Sequence, residues 1–581
     1  MKTMTYVVSI LIFSLTLFSF GAGRLSLEFK GDENFYFESA KEMLETSDLV
    51  TPRYMGVERF QKPILFYWLV LLSFKIFGVN WFSARLVSII FGSLLCVLIF
   101  VIADMFFGSK RMGLLAALFL ATIPLYYRYA RLSLPDMTLL FFLSLALFCF
   151  FKAHKQKADK LSRLFMFVSL AMAFLAKGFV GIILPILVIG LFSLIYKEKV
   201  FTFKEASLGI LIFLVLVAPW FYFIFRTHGS SYAEHVWTRE VLQRIGYGQG
   251  VNFVACFFKN LCFYIYNLFI KFLPYSLFMP IAVAESARLL SSNLRGGQDK
   301  RKDIHLFLII WFLTVIIFFS LIPERRTHYL LALSVPFACY TAILFERVLA
   351  DKTFFRRPGF KAPYYMALTG LVLFTILFVL SDYLTDGAVI PLWKAFLVIV
   401  PFLLLVGYDS KERLIMPVTL ALALSITYIS FTFSQPLGLL SNKMERAADH
   451  IRIYHEKGDK IGIGSHGIIP EELQAFFDVP VENVKAMYYD DGTPNLDTAN
   501  RLIKFLEGAN RVFCVIKRKD FEVFVPQDIK DRVYVIDRYY VWKRRIRFDG
   551  ELLESLRAAG KTSFREIFQN EIYVVTNRKD R

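Results

Sequence analysis

The chain has 581 residues, of which 56% are hydrophobic and 17% aromatic, and its mean hydropathy is +0.52. These values exclude a soluble globular protein and are typical of a polytopic α-helical membrane protein. The formal net charge of +19 does not indicate a nucleic-acid partner, because the basic residues lie in short loops between apolar runs. The six cysteines show no metal-type spacing, so we expect neither a disulfide framework nor a zinc cluster.

Apolar runs along the chain predict the membrane spans, since a spanning helix needs about 20 such residues. We interpret the first run, after Lys2, as an uncleaved helix rather than a signal peptide, because many spans follow it. The long run 164–196 is divided by a predicted hairpin turn at Lys177 and Gly178. The thirteen predicted spans are 4–23, 82–107, 112–127, 137–151, 164–176, 178–196, 206–226, 261–287, 304–322, 328–347, 363–382, 388–407 and 414–433.

The loops between these spans predict an orientation. With the amino terminus in the cytoplasm, every predicted inner loop is basic, as the positive-inside bias requires. Residues 1–433 would then form the membrane domain, with a long first loop at 24–81 on the outer face. The predicted outer side also contains the loops 128–136 and 227–260, the turn 323–327 and the tail.

The tail, residues 434–581, has a soluble pattern and predicts a small α/β domain on the outer face. β-type runs lie at 460–466, 511–517, 532–542 and 572–577, with helical patterns at 443–457 and 497–508. Its charges are typical of a solvated surface, and the pattern predicts no function for it.

The first loop contains a candidate carboxylate and a candidate cation. Apolar residues from Tyr36 to Leu44 recur at helical spacing and predict a helix lying on the membrane surface. Asp32 stands before that helix and is either its N-cap or a catalytic group. Lys62 precedes a second interfacial or re-entrant segment, from Pro63 to Phe77, and is either a lipid-phosphate anchor or a functional residue.

Other predicted outer turns carry the same residue types. Arg131, Lys177 and Arg326 run counter to the positive-inside bias, and Asp136 begins a helix, where the helix dipole also favours an acid. Cations at lipid-phosphate depth can stabilise a phosphate leaving group, and a carboxylate can take the proton of an acceptor. These residues suit transfer chemistry on a lipid-linked phosphate.

Several motifs, in order over roughly the first 350 residues, then point to a family. They are DENFYFESAKEML and SDLVTPRYMGVERFQKPILFYW in the first loop, FG-x-N-x-x-x-x-R over 77–85, LPD at 134–136, LAKGFVG at 175–181, PW at 219–220 and THYLLALSVP at 327–336. The sequence resembles the bacterial polyprenyl-phosphate-sugar glycosyltransferases of the aminoarabinose lipid A transferase type, and more distantly the protein O-mannosyltransferases.

The resemblance implies a GT-C-type inverting glycosyltransferase of the bacterial inner membrane, with its site and its C-terminal domain in the periplasm. The donor would be a sugar on polyprenyl phosphate, and the acceptor lipid A or another lipid-linked glycan. Matching positions assign Asp32 and Asp136 as the two important aspartates, Lys62, Lys177 and Arg244 as phosphate contacts, and Tyr329 as a tyrosine near the site. We further expect Glu33 to be a catalytic residue, Arg131 a donor-phosphate contact, and Arg326 and His328, with Tyr329, substrate contacts.

Two positions depart from the family pattern, which has a metal-linked Glu before the Lys-Pro and a later His. Here they hold Gln61 and Val241, and an apolar side chain cannot ligate zinc. The metal therefore stays open, with His235 or Glu240 as substitute ligands, and so does the sugar, which is aminoarabinose, a uronic acid or a hexose. If the acceptor is an ionised phosphate, no general base is required, and Asp32 would stabilise positive charge on the sugar.

Three alternatives remain at this point. A transporter or flippase of lipid-linked sugars would carry ionisable residues inside its spans, whereas here the charges lie at span ends and in loops. A protein O-glycosyltransferase would use the same donor chemistry on a different acceptor. A lipid-binding scaffold would use Asp32 only as a helix cap.

Overall fold

The computed structural model divides the chain into two compact units. It describes residues 2–24, 31–156, 159–197, 202–242, 252–294, 302–355, 357, 359–367, 369–370, 373, 444–489, 493–542 and 569–578. The first unit is Met1–Gly23 with Tyr36–Ser434, and the second is Arg24–Phe35 with Gln435–Arg581. The predicted boundary at 433 and 434 stays a prediction, and the short segment before Tyr36 groups with the second unit.

The first unit is helical throughout its longer elements. Its helices are α1 Lys2–Ser19, α2 Gly31–Thr46 (which begins in the second unit), α3 Leu65–Phe77, α4 Trp81–Phe107, α5 Lys110–Thr122, α6 Pro124–Tyr129, α7 Asp136–Lys155, α8 Lys160–Lys177, α9 Val180–Tyr196, α10 Phe203–His228, α11 Ser230–His235, α12 Phe253–Lys271, α13 Met279–Leu294, α14 Lys302–Ser320, α15 Ser334–Ala350 and α16 Lys352–Phe355. A π-helix covers Val236–Leu242, and 3₁₀ turns cover Tyr275–Phe278 and Thr327–Leu333. A two-stranded hairpin, β1 Arg53–Tyr54 and β2 Val57–Glu58, lies in the first loop.

The spans of the membrane bundle are partly confirmed. In the described residues, six helices are long and apolar enough to cross a membrane, and four shorter helices are apolar. The predicted spans 388–407 and 414–433, and most of 363–382, lie outside the described residues. The count of thirteen therefore stays a prediction, whereas the chain is a multi-pass helical membrane protein.

Proline explains two places where the helices differ from the predicted spans. The span 112–127 is divided, because Ile123 before Pro124 is extended (φ −63°, ψ 123°) and α5 ends at Thr122. The single predicted span 261–287 is wrong: α12 ends at Lys271 and α13 begins at Met279. Pro274 lies between them and has no N–H to continue the helical hydrogen bonds.

The motif FG-x-N-x-x-x-x-R joins α3 to α4. Gly78 has a φ of 79°, which a glycine adopts without strain, and it turns the chain after α3. The Asn80 side chain then accepts a hydrogen bond from the Ser83 N–H at 2.9 Å and caps α4. Arg85 is buried and donates to the Ala22 carbonyl at 2.9 Å. This motif is therefore structural, and it anchors α4 beside the end of α1.

Ion pairs gather at the end of α7 opposite to Asp136. Lys152 lies 2.9 Å from Asp159, and Lys155 pairs with Asp303. Because α7 has 20 residues, about 30 Å separates this end of the helix from Asp136. The predicted inner and outer loops therefore segregate to the two ends of α7. Which end faces the cytoplasm stays a prediction.

The second unit contains a five-stranded mixed sheet with strand order β4-β3-β7-β9-β8, and strands β5 and β6 form a separate pair. β3 pairs in parallel with β4 and β7, and β9 pairs antiparallel with β7 and β8. The strands are β3 Lys460–Ile463, β4 Val481–Asn483, β5 Met487–Tyr488, β6 Pro494–Asn495, β7 Val512–Lys517, β8 Tyr534–Trp542 and β9 Gln569–Thr576. The helices are α17 Glu445–Tyr454, α18 Pro470–Gln474, α19 Asn500–Leu506, α20 Arg518–Phe524 and α21 Gln527–Lys530, and a 3₁₀ turn covers Leu496–Ala499.

All four predicted strands of this unit are confirmed. The central strand β7 is buried from Val512 to Ile516, and this continuous burial explains its unbroken apolar run. Its side chains contribute to an apolar cluster on each face of the sheet. The short strands β4, β5 and β6 were not predicted, because two or three residues are too few to establish an alternating pattern.

Candidate active site

Five of the predicted site residues line one cavity of the first unit, with a volume of about 140 Å³. Lys62 comes from the segment before α3, Asp136 from the start of α7, Lys177 from the end of α8, and Tyr329 from the 3₁₀ turn before α15. His328 also lines it. The helix ends that carry these residues are thus brought to one end of the bundle.

Asp136 and Lys177 form an ion pair in this cavity. The Lys177 Nζ donates to Asp136 Oδ1 at 2.7 Å, and the two side chains are 12% and 10% exposed. The predicted helix start at Asp136 is confirmed, and so is the turn after Lys177, where Gly178 adopts a φ of 78°. The pair gives the cavity a cation whose position is held by a carboxylate.

Lys62 provides a second cation. Its Nζ donates to the Gln61 carbonyl at 2.8 Å, and the following Pro63 is buried before α3 begins. Gln61 lines the same cavity, and its side-chain Oε1 is buried without a hydrogen-bond partner among the described residues. The Gln61–Lys62 segment therefore presents a buried neutral acceptor and a charged donor side by side.

The remaining walls of the cavity are apolar and aromatic. Burial in such surroundings strengthens the attraction between a lysine and a bound phosphate, because little water screens it. Tyr329 is buried and stacks on Phe319, with ring centroids 4.3 Å apart, so its ring is fixed. The other wall residues include Leu139, Leu140, Leu143, Phe174, Phe179, Val180, Leu184, Phe221, Tyr232, Val236, Leu331 and Ala332.

Tryptophans hold the first loop against its neighbours. The Trp220 Nε1 donates to the Val50 carbonyl at 3.0 Å, and the Trp68 Nε1 donates to the Leu49 carbonyl at 2.8 Å. Trp220 belongs to the PW motif of α10, so this motif connects α10 to the first loop. Further along the chain, the first loop lines the cavity with Phe60 and Gln61.

Two predicted site residues lie away from the cavity lining. Arg131 is buried, donates to the Phe20 carbonyl at 2.7 Å and also to the Tyr127 hydroxyl, which gives it a structural role. Arg326 pairs with Glu324 at the surface. Neither residue lines the cavity, and their assignment to substrate and donor phosphate stays a prediction.

Asp32 and Glu33 belong to the second unit, in the first turn of α2. The helix begins at Gly31, so Asp32 lies inside it rather than before it. Asp32 is exposed and Glu33 is buried. Their catalytic roles stay predictions, and Arg244 lies outside the described residues.

Sequence reasoning missed the aromatic cluster around Phe60. The Phe60 ring contacts His228, Tyr232 and His235 with centroid distances of 5.0, 5.3 and 5.9 Å. His228 in turn lies 2.8 Å from Thr51 Oγ1 through Nε2, which ties α10 to the first loop. In the sequence this cluster was indicated only by an aromatic residue before Gln-Lys-Pro, which is not a specific pattern.

Arg59 was also missed, although it supports the same segment. Its Nε donates to the Tyr67 hydroxyl at 3.2 Å, and its guanidinium lies over the Tyr36 ring at 5.7 Å. These contacts fix the backbone immediately before Phe60 and Gln61. Arg59 is a positioning residue for the segment that carries Lys62.

The metal implied by the family resemblance does not fit the residues present. At the position of the family's Glu stands Gln61, a neutral amide that is a poor zinc ligand. In the described part of the chain, no group of three or more His, Cys, Asp or Glu side chains could hold a metal ion. We derive no catalytic step through a metal.

Comparisons with known proteins agree with this architecture. The family described as dolichyl-phosphate-mannose-protein mannosyltransferase matches residues 3–233. An uncharacterised protein of Aquifex aeolicus is 31% identical over 350 residues, which cover 58% of this chain and 74% of that protein. The undecaprenyl phosphate-alpha-4-amino-4-deoxy-L-arabinose arabinosyl transferase of Aeromonas hydrophila is 26% identical over 356 residues, covering 60% of this chain and 61% of that protein.

The crystal structure of ArnT from Cupriavidus metallidurans bound to undecaprenyl phosphate superposes with a TM-score of 0.66 and 18% identity. The match covers 99% of this chain and 98% of that one. The chain thus has the fold of that ArnT structure. The chain belongs to the same family as the Aquifex aeolicus protein. Its similarity to the arabinosyl transferases and to the mannosyltransferase family confirms the resemblance to ArnT-like glycosyltransferases. Matched segments span 61% of the Aeromonas transferase and 56% of its Pseudomonas fluorescens counterpart.

Proposed function

We propose that this protein is an inverting glycosyltransferase that moves a sugar from polyprenyl phosphate to lipid A or another lipid-linked glycan. The proposal rests on one observation: Lys62 and Lys177 line the same cavity, together with Asp136, Gln61 and Tyr329. Two cations in an apolar chamber suit a lipid-linked phosphate, because they balance its charge where water is scarce. The named relatives act on such a donor, undecaprenyl phosphate-linked aminoarabinose.

In the proposed reaction an acceptor oxygen attacks the anomeric carbon of the sugar. The bond between that carbon and the donor phosphate oxygen breaks, and the electron pair leaves with the polyprenyl phosphate. Lys62 and Lys177 stabilise the charge that develops on this oxygen. Asp136 keeps the Lys177 ammonium in place at 2.7 Å.

The acceptor decides whether a base is required. A lipid A phosphate is already ionised at neutral pH and attacks without losing a proton. A hydroxyl acceptor must lose its proton, and we assign that task to Asp32, with Glu33 as its buried neighbour.

We place the site on the periplasmic side of the membrane, because the basic loops lie at the opposite end of the bundle.

A protein hydroxyl is a second candidate acceptor. The mannosyltransferase family that matches residues 3–233 is described as acting on protein. The same cations would serve either acceptor, because they contact the donor. Only the acceptor side of the reaction would differ.

The test uses membranes that contain the full chain and a polyprenyl phosphate carrying a radiolabelled sugar. Lipid A, another lipid-linked glycan and a protein fraction are offered as separate acceptors, and mass spectrometry identifies the product. Label should move to lipid A or the glycan with the native chain and should be lost with Lys177→Ala. Label that moves to none of the acceptors would reject the proposal, and label on protein alone would favour the second candidate.

Two variants sharpen this experiment. Lys75→Ala removes an exposed lysine from the last turn of α3, outside the cavity lining, and should leave transfer unchanged. Asp32→Asn removes the carboxylate and leaves the size of the side chain almost unchanged. Unchanged transfer by Asp32→Asn at normal protein level would remove Asp32 from the catalytic assignment.

A further inference from the structure

A second cavity lies in the second unit and has no part in the proposed reaction. Its volume is about 670 Å³, and it is bordered by strands β3 and β4, helix α19 and the loop 508–510. The polar residues that matter here are Lys460, Glu482, Asn483, Arg501 and Lys504. We call it the basic groove, because three of these side chains are cations and one is an acid.

The positive charge of the groove is only partly balanced. Lys460 Nζ lies 3.4 Å from Glu482 Oε1, and both side chains are about half exposed. Arg501 and Lys504 are three residues apart on exposed positions of α19, and like charges at this spacing repel each other. Within the described residues, neither of them has a carboxylate at ion-pair distance. The helix therefore presents two adjacent cations that a bound anion would stabilise.

The packing of α19 against the sheet gives the groove one of its walls. A Cβ added to Gly462 of β3 would lie 2.7 Å from the Phe505 ring, so only a glycine permits this close approach. Phe505 lies in the groove wall directly after Lys504. The position of the two cations thus depends on a contact between α19 and strand β3.

The opposite wall is held by Asn577, after the end of β9. Its Nδ2 donates to the carbonyls of Gly508 and Asn510, each at 3.0 Å, and its Oδ1 accepts from the Val512 N–H at 3.0 Å. These bonds fix the loop 508–510 without any ligand. A groove formed in advance loses little conformational freedom when it binds, which favours affinity.

We propose that the basic groove binds a phosphate group, carried either by a lipid headgroup or by a free or sugar-linked phosphate. The planar guanidinium of Arg501 can donate two parallel hydrogen bonds to phosphate oxygens, and Lys504 adds a point charge. Lys460 provides a third cation, and the Asn483 amide provides a neutral donor. Glu482 opposes anion binding and limits the affinity.

The test measures binding to the full chain purified in an uncharged detergent. Inorganic pyrophosphate is titrated by calorimetry, and dioleoyl phosphatidic acid is measured by native mass spectrometry against phosphatidylcholine. We expect saturable binding that weakens at least about tenfold in the double variant Arg501→Gln, Lys504→Gln. The control Lys530→Gln, Arg532→Gln removes the same charge from residues that do not line the groove, and it should bind as the native chain does.

Two single variants keep the test decisive if the double variant is unstable. Glu482→Gln should increase the affinity, because it removes the opposing charge. Arg501→Lys should weaken binding, because the ammonium keeps the charge but cannot donate two parallel hydrogen bonds. Equal binding by native chain, groove variants and control, or no saturable binding of either probe, would overturn the proposal. If phosphatidic acid binds and pyrophosphate does not, the ligand is a lipid headgroup. If pyrophosphate binds, the groove accepts a free or sugar-linked phosphate. Sugar transfer is not measured here, so this result is independent of the proposed function.

Discussion

Lys177 and Asp136 lie 41 residues apart in the chain, and the Lys177 Nζ donates to Asp136 Oδ1 at 2.7 Å. Asp136 is in the first turn of α7 and Lys177 is in the last turn of α8. The helix dipole favours an acid at the first position and a cation at the second. Each side chain is therefore stabilised by its own helix as well as by its partner, and the ammonium is held in position before a donor phosphate binds.

This arrangement predicts unequal losses of activity. Lys177→Ala should lower kcat for sugar transfer by about 10²- to 10³-fold, because it removes a charge that stabilises the leaving phosphate. Asp136→Asn should have a smaller effect, since Lys177 keeps its charge and loses only its anchor. Steady-state kinetics with a labelled donor measure both.

The double variant Asp136→Asn, Lys177→Ala distinguishes positioning from independent catalysis. If Asp136 acts through Lys177, the double variant should be no slower than Lys177→Ala alone. Losses that multiply in the double variant would show that Asp136 has a role of its own, such as contact with the sugar.

Because Gln61 stands where the family has a metal-linked Glu, we expect that sugar transfer does not depend on a metal. A chelator should leave the activity of the native chain unchanged, and elemental analysis of the purified protein should find less than one zinc ion per chain. Loss of activity on chelation, restored by zinc, would contradict this prediction.

A carboxylate at the same position should impair donor binding. In Gln61→Glu the new negative charge lies beside Lys62 and competes with the donor phosphate, so the KM for the donor should rise about tenfold or more. Gln61→Met, which is neutral and similar in size, is the control for shape. An equal rise in KM for both variants would show that the effect is not electrostatic.

Glu285 predicts a loss of stability without a loss of specific activity. It is buried on α13, pairs with Arg347 of α15, and lies 3.0 Å from Arg288 and 3.8 Å from Arg357. Glu285→Gln should lower the free energy of unfolding by about 1–3 kcal/mol, because these charged hydrogen bonds are lost while the arginines stay partly solvated. Thermal unfolding in detergent measures the change, and activity per folded molecule should be unaltered. An unchanged unfolding temperature would mean that the arginine cluster is dispensable.

Asp159 predicts a pH-dependent contribution to stability at the start of α8. Its carboxylate accepts a hydrogen bond from the Ser162 N–H at 2.9 Å and pairs with Lys152 at 2.9 Å. The backbone hydrogen bond first, and then Lys152, lower its pKa from 3.8 to about 2. A lowered pKa stabilises the folded state above pH 3.8, and the benefit is lost as the pH falls towards 2.

The substitution Asp159→Ala should therefore cost about 1 kcal/mol at neutral pH, the usual value of a helix cap. The difference in unfolding free energy between native chain and variant should shrink below about pH 4. Asn252→Ala, at the cap of α12, is a matched control, because an amide does not titrate in this range. A constant difference for Asp159→Ala across the whole pH range would contradict the assigned pKa.

Much of the fold could be predicted because some local sequence patterns are compatible with only one type of secondary structure. A lipid bilayer leaves no partner for backbone groups, so long apolar runs must be helices, and α4, α7 and α10 begin and end close to the predicted limits. The sequence also predicted the turn after Lys177 and four strands of the second unit, β3, β7, β8 and β9. The failure at 261–287 came from apolarity alone, which does not register the proline that separates α12 from α13.

The sequence by itself determined which residues carry charge at the helix ends, and therefore nominated Lys62, Asp136 and Lys177. Only the tertiary structure decided that these three share one cavity, while Arg131 is committed to the Phe20 carbonyl. The physical reason is that a charge at a helix end has many partners within reach, and helix packing selects among them. The sequence shows which residue is charged, but the orientation and the neighbours of its helix decide which groups that residue contacts.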